Sequence, residues 1–560
     1  MSLYSLDLSS PDDLGVYDAL FVGFARETGV PVASGNEQSI AVLGLPGSGK
    51  TSGILIPQAL LWAGSLVSAS TSPDVLRATR GRRLEIAKRR GGDVFVYAPE
   101  DPDTWVHGAR NVGWVPTSGC QNATTCTTRV QAMLGPKPSK DDSGNAGFFY
   151  SNATQVLQAY FHAAALGAVP FSEVLDWIAS YEVKRPASLI RERHGHLLFA
   201  SQLERLGSGR SASIDDTFSS VSQAMMSITV DPAVIASCER DELDIDRFID
   251  SASSLYVVSP GADQDAASLP AALIETIADR LIKRARVTRF DPPMLLLLDE
   301  VANIAPLPKL HTFITTGRKH GLLCTFAIHS LHQLKARWGE SNGRVIWEAV
   351  GQKILFGGVE DKELMEGLSA LLGEHKIIKK QRTVPQHNIF TVLSSVATKQ
   401  PGALPSDTYL EEDERNFKAE KIFGQPPGQS LIIVSSGTDK VTGVWLDNPP
   451  AAMTREFGAV IEIEAAFQRS LELAPVTAAI KAPAAGGPAP SPRIRIKTRI
   501  RGDESGRPEV LPAPAAEIAT GEAPRFRMNS RSAGDTSPPD AGPEPSPTLP
   551  GFRIKTKRPT

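Results

Sequence analysis

The octet Gly44-Leu45-Pro46-Gly47-Ser48-Gly49-Lys50-Thr51 carries the most specific chemistry in this chain. Its glycines let consecutive backbone N–H groups curl around phosphate oxygens, and a following helix turns its positive end towards the same charge. Lys50 is spaced to reach β- and γ-phosphates and the Thr51 hydroxyl to hold Mg²⁺, with Pro46, Gly47, Ser48, Gly49 and Ser52 completing the cradle. Such a loop needs an acid at the end of a buried strand. The run Met294-Leu-Leu-Leu-Leu298, followed by Asp299 and Glu300, supplies it. Asp299 would join the Mg²⁺ shell, and Glu300 would orient or deprotonate the attacking water. The pair of motifs predicts a site that hydrolyses ATP with Mg²⁺.

Downstream, Thr315-Thr316-Gly317-Arg318-Lys319-His320-Gly321 precedes another apolar run, Leu323–Ile328. In ring ATPases an arginine at such an edge reaches the γ-phosphate held by the neighbouring subunit, and is worth ~10³–10⁵ in rate. A surface arginine on a loop-to-strand connection fits the spacing of Arg318 equally well.

These residues need a frame. Ser39–Leu43 is apolar and ends at the glycine turn, and Lys50–Trp62 reads as a helix. Leu66–Ser70, Val94–Tyr97, Ser254–Val258, Met294–Leu298, Leu323–Ile328, Lys353–Phe356 and Ser430–Val434 are short apolar or β-branched runs bounded by turn formers, which predicts buried strands. Strands alternating with helices argue for an α/β fold with a mainly parallel twisted sheet. Phe148–Ala165, Phe171–Ser180, Ser188–Leu206 and Ser211–Thr229 read as helices with few strand-like runs between them. The expected division is therefore 1–121 and 250–450 for the two parts of a nucleotide domain, with an all-α insertion at 122–249. A last helix follows within 451–473 (Glu456–Leu473). Pro, Ala, Gly and Ser dominate 474–560, a composition that predicts a disordered tail.

Charge is uneven. The net charge is -3, yet from Lys481 onward 14 Lys and Arg face 8 Asp and Glu, so a mildly acidic body precedes a basic tail. Within the tail, Arg495-Ile-Lys-Thr-Arg499 and Arg553-Ile-Lys-Thr-Lys557 are near copies, with Arg525-Phe-Arg527 between them; they suit a DNA or partner contact or a solubilising role. Arg77, Arg80, Arg82, Arg83, Lys88, Arg89 and Arg90 crowd one stretch, either to track a phosphate backbone or as a solvated helix face pairing with Glu85. Four cysteines make no disulfide framework, and reduced thiols are expected. The histidines His311, His320, His329 and His332 do not share metal-ligand spacing, so ordinary polar or core roles are expected of them. Trp105, Trp114, Phe148, Phe149 and Tyr150 suit core packing or base stacking. No secretory leader opens the chain, and no apolar run reaches the ~20 residues of a membrane span.

Taken together, the motifs resemble the type IV coupling proteins, the TraG/TraD-like ATPases of conjugation and type IV secretion. The likeness spans roughly 38–450. Its most telling residues are Asp299-Glu-Val-Ala-Asn303, Thr316-Gly-Arg-Lys319, His329-Ser-Leu-His-Gln333 and Arg337-Trp-Gly339, together with Gly47–Thr51, Ile56-Pro57 and Trp62-Ala-Gly64-Ser65. The resemblance implies a RecA-like, FtsK-related P-loop NTPase with an inserted all-α domain. It further implies a homo-hexameric ring that hands single-stranded DNA and its attached relaxase to the secretion-channel proteins. Most members begin with two transmembrane helices and carry a γ-phosphate-sensing Gln at the end of the strand after the paired acids. Here His329 holds that place, with Gln333 four residues on, so both are expected at the nucleotide. Thr71-Ser-Pro-Asp74 replaces an acidic segment of the family, and the basic tail has no counterpart. The expectation is a cytoplasmic protein recruited to the inner face of the membrane by partners. A docking scaffold of the apparatus that binds ATP without pumping DNA is the second reading, and an FtsK-type translocase the third.

Overall fold

The computed structural model describes residues 4–5, 19–34, 38–101, 109–138, 146–208, 211–240, 242–259, 268–383, 406–435 and 441–453. The helix expected over Glu456–Leu473, the tail from 474 and Trp105 lie outside the described residues. The strands are β1 (Tyr4–Ser5), β2 (Leu20–Ala25), β3 (Pro31–Ser34), β4 (Ile40–Leu43), β5 (Leu66–Ser70), β6 (Val94–Tyr97), β7 (Arg110–Asn111), β8 (Ser254–Val258), β9 (Met294–Leu298), β10 (Leu322–Ile328), β11 (Gln352–Phe356), β12 (Glu374–Thr383), β13 (Ser406–Arg415), β14 (Gln429–Ser435) and β15 (Val441–Asp447).

Thirteen of them form one sheet in the order β1-β3-β2-β15-β14-β11-β4-β10-β9-β5-β8-β6-β7. From β11 to β7 every neighbouring pair is parallel. From β11 outwards through β14, β15, β2, β3 and β1 every pair is antiparallel. The parallel strands are covered on both faces, which is why they read as unbroken apolar runs. Alternation is still visible in what each residue touches. Ala41 and Leu43 of β4 enter one core with Leu296 and Leu298 of β9, while Ile40 and Val42 enter the other with Leu295 and Leu297, the two-residue period of a strand.

Between β7 and β8 the described residues form helices only: Ala123–Leu134, Ala146–Gly167, Phe171–Ser180, Lys184–Glu192, Leu197–Gly207, Ser211–Thr229, Pro232–Ser237 and Ile245–Ile249. Their apolar faces share one core with the sheet. The helix expected as Ser188–Leu206 is two helices. The chain turns at His194, whose φ is 54°, and Gly195 N–H closes on Ile190 O at 2.7 Å. A Cβ at Gly195 would come within 2.4 Å of the Leu166 side chain and 2.7 Å of His162 Nε2, so a larger residue would have to displace both.

The helix expected over Lys50–Trp62 is also divided, into a π-helical turn Thr51–Leu55 and an α-helix Ile56–Leu61. Pro57 has no N–H to give the carbonyl four residues back, which disfavours a continuous α-helix at this point.

The arginine cluster follows the helix-face reading in part: Arg77, Lys88, Arg89 and Arg90 are exposed and Glu85 is paired. Asp74–Arg90 is a helix, but Arg80, Arg82 and Arg83 are buried rather than solvated. Arg83 donates to Trp62 O, Gly64 O and Ser254 Oγ, and Glu85 pairs with Arg82 and Arg89. Trp114 is buried under the Arg129 guanidinium, whereas Phe148 and Phe149 are exposed. The four cysteines are free and buried. Among the described residues, no helix is long and apolar enough to cross a membrane.

Candidate nucleotide-binding site

β4, β10, β9 and β5 lie side by side and parallel, so their C-terminal ends share one edge. β10 separates the strand that enters the glycine loop from the strand that enters the acids. Its last residues therefore place His329 between Lys50 and Glu300.

Gly47 and Gly49 have φ of 76° and 102°, backbone that a side chain would strain. At Gly44 a Cβ would come within 2.7 Å of Phe356 and of Ser48 Oγ. Ser48 O accepts from Gly428 N–H at 3.0 Å, which braces the loop against the chain before β14. Ser48 Oγ is buried without a partner. Pro46 and Gly47 are exposed at the tip and Ser52 is half-buried behind it. A glycine cradle with an unsatisfied hydroxyl, beside a buried lysine, offers the donors that a phosphate group needs.

Lys50 is 5% exposed. Its Nζ donates to Gly44 O at 2.7 Å and Leu45 O at 2.9 Å, and lies 3.2 Å from His329 Nδ1. Burial lowers its pKa, against the opposing pull of Asp299 and Glu300. Thr51 Oγ1 donates to Asp299 Oδ2 at 2.8 Å, joining the glycine loop to the end of β9. Burial raises the Asp299 pKa, while the Thr51 hydrogen bond acts the other way. The two motifs converge, as their sequences require.

Glu300 has φ of 51°, left-handed backbone for a side-chain-bearing residue. Such strain gathers at functional sites. Glu300 Oε1 lies 3.2 Å from His329 Nε2, and Oε2 accepts from Asn303 Nδ2 at 3.2 Å and from Thr71 Oγ1 at 3.4 Å. Thr71 and Asn303 were not expected here. Thr71 follows β5, whose register sets Ala69 opposite Leu298, so the pairing of two strands brings it in. Asn303 stands one helical turn beyond Glu300, a spacing the sequence does show.

Gln333 takes a supporting place. Its Oε1 accepts from the His329 backbone N–H at 2.8 Å, which fixes the chain on which the ring is mounted. Arg318 is exposed in the turn Gly317–His320 that precedes β10. It therefore lies at the opposite end of β10 from His329, and the structure does not bring it to Lys50 of the same chain. His311 and His332 are exposed as well, and among the described residues no group of three His, Cys, Asp or Glu could hold a metal.

Known proteins resemble this chain in sequence and in fold. VirD4 of Rhizobium rhizogenes is 22% identical over 406 residues, 71% of this chain and 58% of that protein. The conjugal transfer protein TraG of Agrobacterium fabrum is 22% identical over 383 residues, 66% of this chain and 56% of that one. The chain thus spans less than two thirds of the length of these relatives. Among solved structures, the bacterial conjugative coupling protein TrwB matches in its unbound form with a TM-score of 0.52 at 16% identity, covering 80% of this chain and 93% of that one. TrwB in complex with ADP and Mg²⁺ matches with a TM-score of 0.51 at 16% identity, covering 80% and 94%. This likeness identifies the fold as RecA-like P-loop, with the mainly parallel sheet described above. The family model for type IV secretory system conjugative DNA transfer matches residues 19–404, and the chain belongs to that family.

Proposed function

We propose that this chain binds ATP with Mg²⁺ at the edge formed by β4, β10, β9 and β5, and that its hydrolysis drives DNA or a DNA–relaxase complex towards a type IV secretion channel. One observation carries the reading: Thr51 and Asp299 are hydrogen-bonded at 2.8 Å while Lys50 and Glu300 flank the same histidine. In this reading the N–H groups of 44–52 and the Lys50 ammonium cradle the phosphates. Thr51 and Asp299 hold Mg²⁺, which neutralises charge developing on the phosphates. Glu300 accepts the proton of the attacking water. His329, supported by Gln333, meets the terminal phosphate. TrwB, which shares the fold, has been solved with ADP and Mg²⁺.

Arg318 precedes β10, at the end opposite His329, so a catalytic role for it requires a neighbouring subunit, and a homo-hexamer provides one. We take 122–249 as the inserted helical unit within the nucleotide domain of 1–121 and 250–450, and channel proteins as the means of recruitment to the membrane.

Single-stranded DNA should stimulate hydrolysis and promote ring formation. Hydrolysis indifferent to DNA at low salt would favour the docking-scaffold reading. Mixing Arg318→Ala with Lys50→Ala subunits tests catalysis in trans. Each variant is inactive alone, and partial rescue in the mixture is expected; no rescue would remove Arg318 from the mechanism.

A further inference from the structure

The contacts around His329 favour one protonation pattern. An ammonium group donates three protons and accepts none. Lys50 gives two of them to Gly44 O and Leu45 O, and the third faces His329 Nδ1 at 3.2 Å. Nδ1 must then carry its lone pair, and its 3.3 Å approach to Gly44 O is a contact between two acceptors. The ring proton sits on Nε2, where it meets the Glu300 carboxylate at 3.2 Å. The opposite tautomer would turn a lone pair on the carboxylate, and a doubly protonated ring would set an N–H against the ammonium. Lys50, His329 and Glu300 thus form one directed chain, with every Lys50 proton used within the protein.

We propose that His329 is a positioning residue that ties the orientation of Glu300 to the engagement of Lys50, so that the water-activating carboxylate is held until the lysine turns to a phosphate. This rests on the nucleotide-site reading above. When Lys50 reaches a phosphate it gives up His329 Nδ1. The ring loses its donor on that side and turns, redirecting the Glu300 oxygen it holds while Asn303 and Thr71 keep the other carboxylate oxygen. The Gln333 bond to the His329 backbone keeps the ring hinged at a fixed point during the exchange.

The signature is a split between binding and turnover. His329→Leu removes both ring bonds, so nucleotide binding no longer breaks the Lys50 contact. ADP should bind the full-length variant about three- to tenfold tighter than wild type, while kcat falls at least about tenfold because Glu300 has lost its guide and the terminal phosphate its His329 contact. His329→Gln, which keeps an acceptor and a donor, should restore both values part of the way. Nitrogen-15 NMR of histidine-labelled, nucleotide-free protein, assigned with His329→Leu, should show Nε2 protonated and the Nδ1 resonance moving on addition of ADP. Unchanged or weaker binding in His329→Leu would overturn the proposal, as would an Nδ1-protonated ring in the empty site. Failure of the wild type to bind nucleotide would instead overturn the underlying assignment of the site.

Discussion

Lys50 and Arg83 are both cations removed from water, and they have been put to opposite uses. Lys50 is 5% exposed and Arg83 0%. Burial lowers the pKa of each, that of Arg83 to about 10. Arg83 gives its planar fork to Trp62 O, Gly64 O and Ser254 Oγ. These partners belong to the turn after the glycine-loop helix and to the start of β8, so the guanidinium fastens that helix to the sheet. Lys50 is a point charge on a flexible stem, and its partners are two carbonyls of the glycine loop and a ring that can turn. A rigid fork among fixed acceptors makes a fastening, whereas a mobile charge among exchangeable ones makes a site that can receive a ligand.

The largest effect should come from exchanging the two roles by mutation. Lys50→Ala should reduce ATP turnover to background while leaving the urea midpoint nearly in place. Arg83→Met should do the reverse, costing about 3–5 kcal/mol of stability because buried acceptors lose their donor, with nucleotide affinity of the folded fraction unchanged. Urea titration and fluorescent-nucleotide binding on both variants decide it. Unfolding of Lys50→Ala, or loss of binding by folded Arg83→Met, would erase the distinction.

A narrower change sharpens the functional side. Glu300→Gln keeps the shape of the side chain and its neighbours but cannot accept a proton. ATP should remain bound with affinity within about threefold, and single-turnover hydrolysis should slow by ~10²–10⁴. A normal single-turnover rate would take Glu300 out of its assigned role.

The same contrast explains how much could be read from sequence. The glycine loop, Lys50, Thr51, Asp299 and Glu300 were legible because their chemistry depends on local spacing, and the buried strands because their runs are apolar throughout. The burial of Arg80, Arg82 and Arg83 was not legible. A run of arginines reads as solvated, and what holds Arg83 and Arg82 inside is backbone carbonyls, those of Trp62 and Gly64 for the first and of Leu60 for the second, which leave no side-chain pattern. Thr71 was missed for a related reason: it reaches Glu300 only through the β5–β9 register. The hairpin of β12 and β13 escaped as well, since its strands are rich in charge and are paired through the backbone. Long-range backbone pairing leaves little trace in composition.

The smallest effect concerns a third buried charge, of opposite sign and less well paired than either cation. Glu275 is 1% exposed and its Oε1 has no hydrogen bond. Lys309 Nζ stands 3.5 Å from that oxygen and bonds instead to Asp279 at 2.5 Å. Burial outweighs the lysine and pushes the Glu275 pKa up to about 7 from its usual 4.5. Because the folded protein holds this proton more tightly than the unfolded chain, the contribution is fully present below about pH 4.5. It declines as pH rises and is lost above about 7. Glu275→Gln stays neutral throughout. Relative to this variant, wild type should therefore lose on the order of 2–3 kcal/mol between pH 4.5 and 8, measured by urea denaturation at matched ionic strength. Parallel stability curves would mean that Lys309 neutralises Glu275 after all, and that the carboxylate is fastened as securely as Arg83.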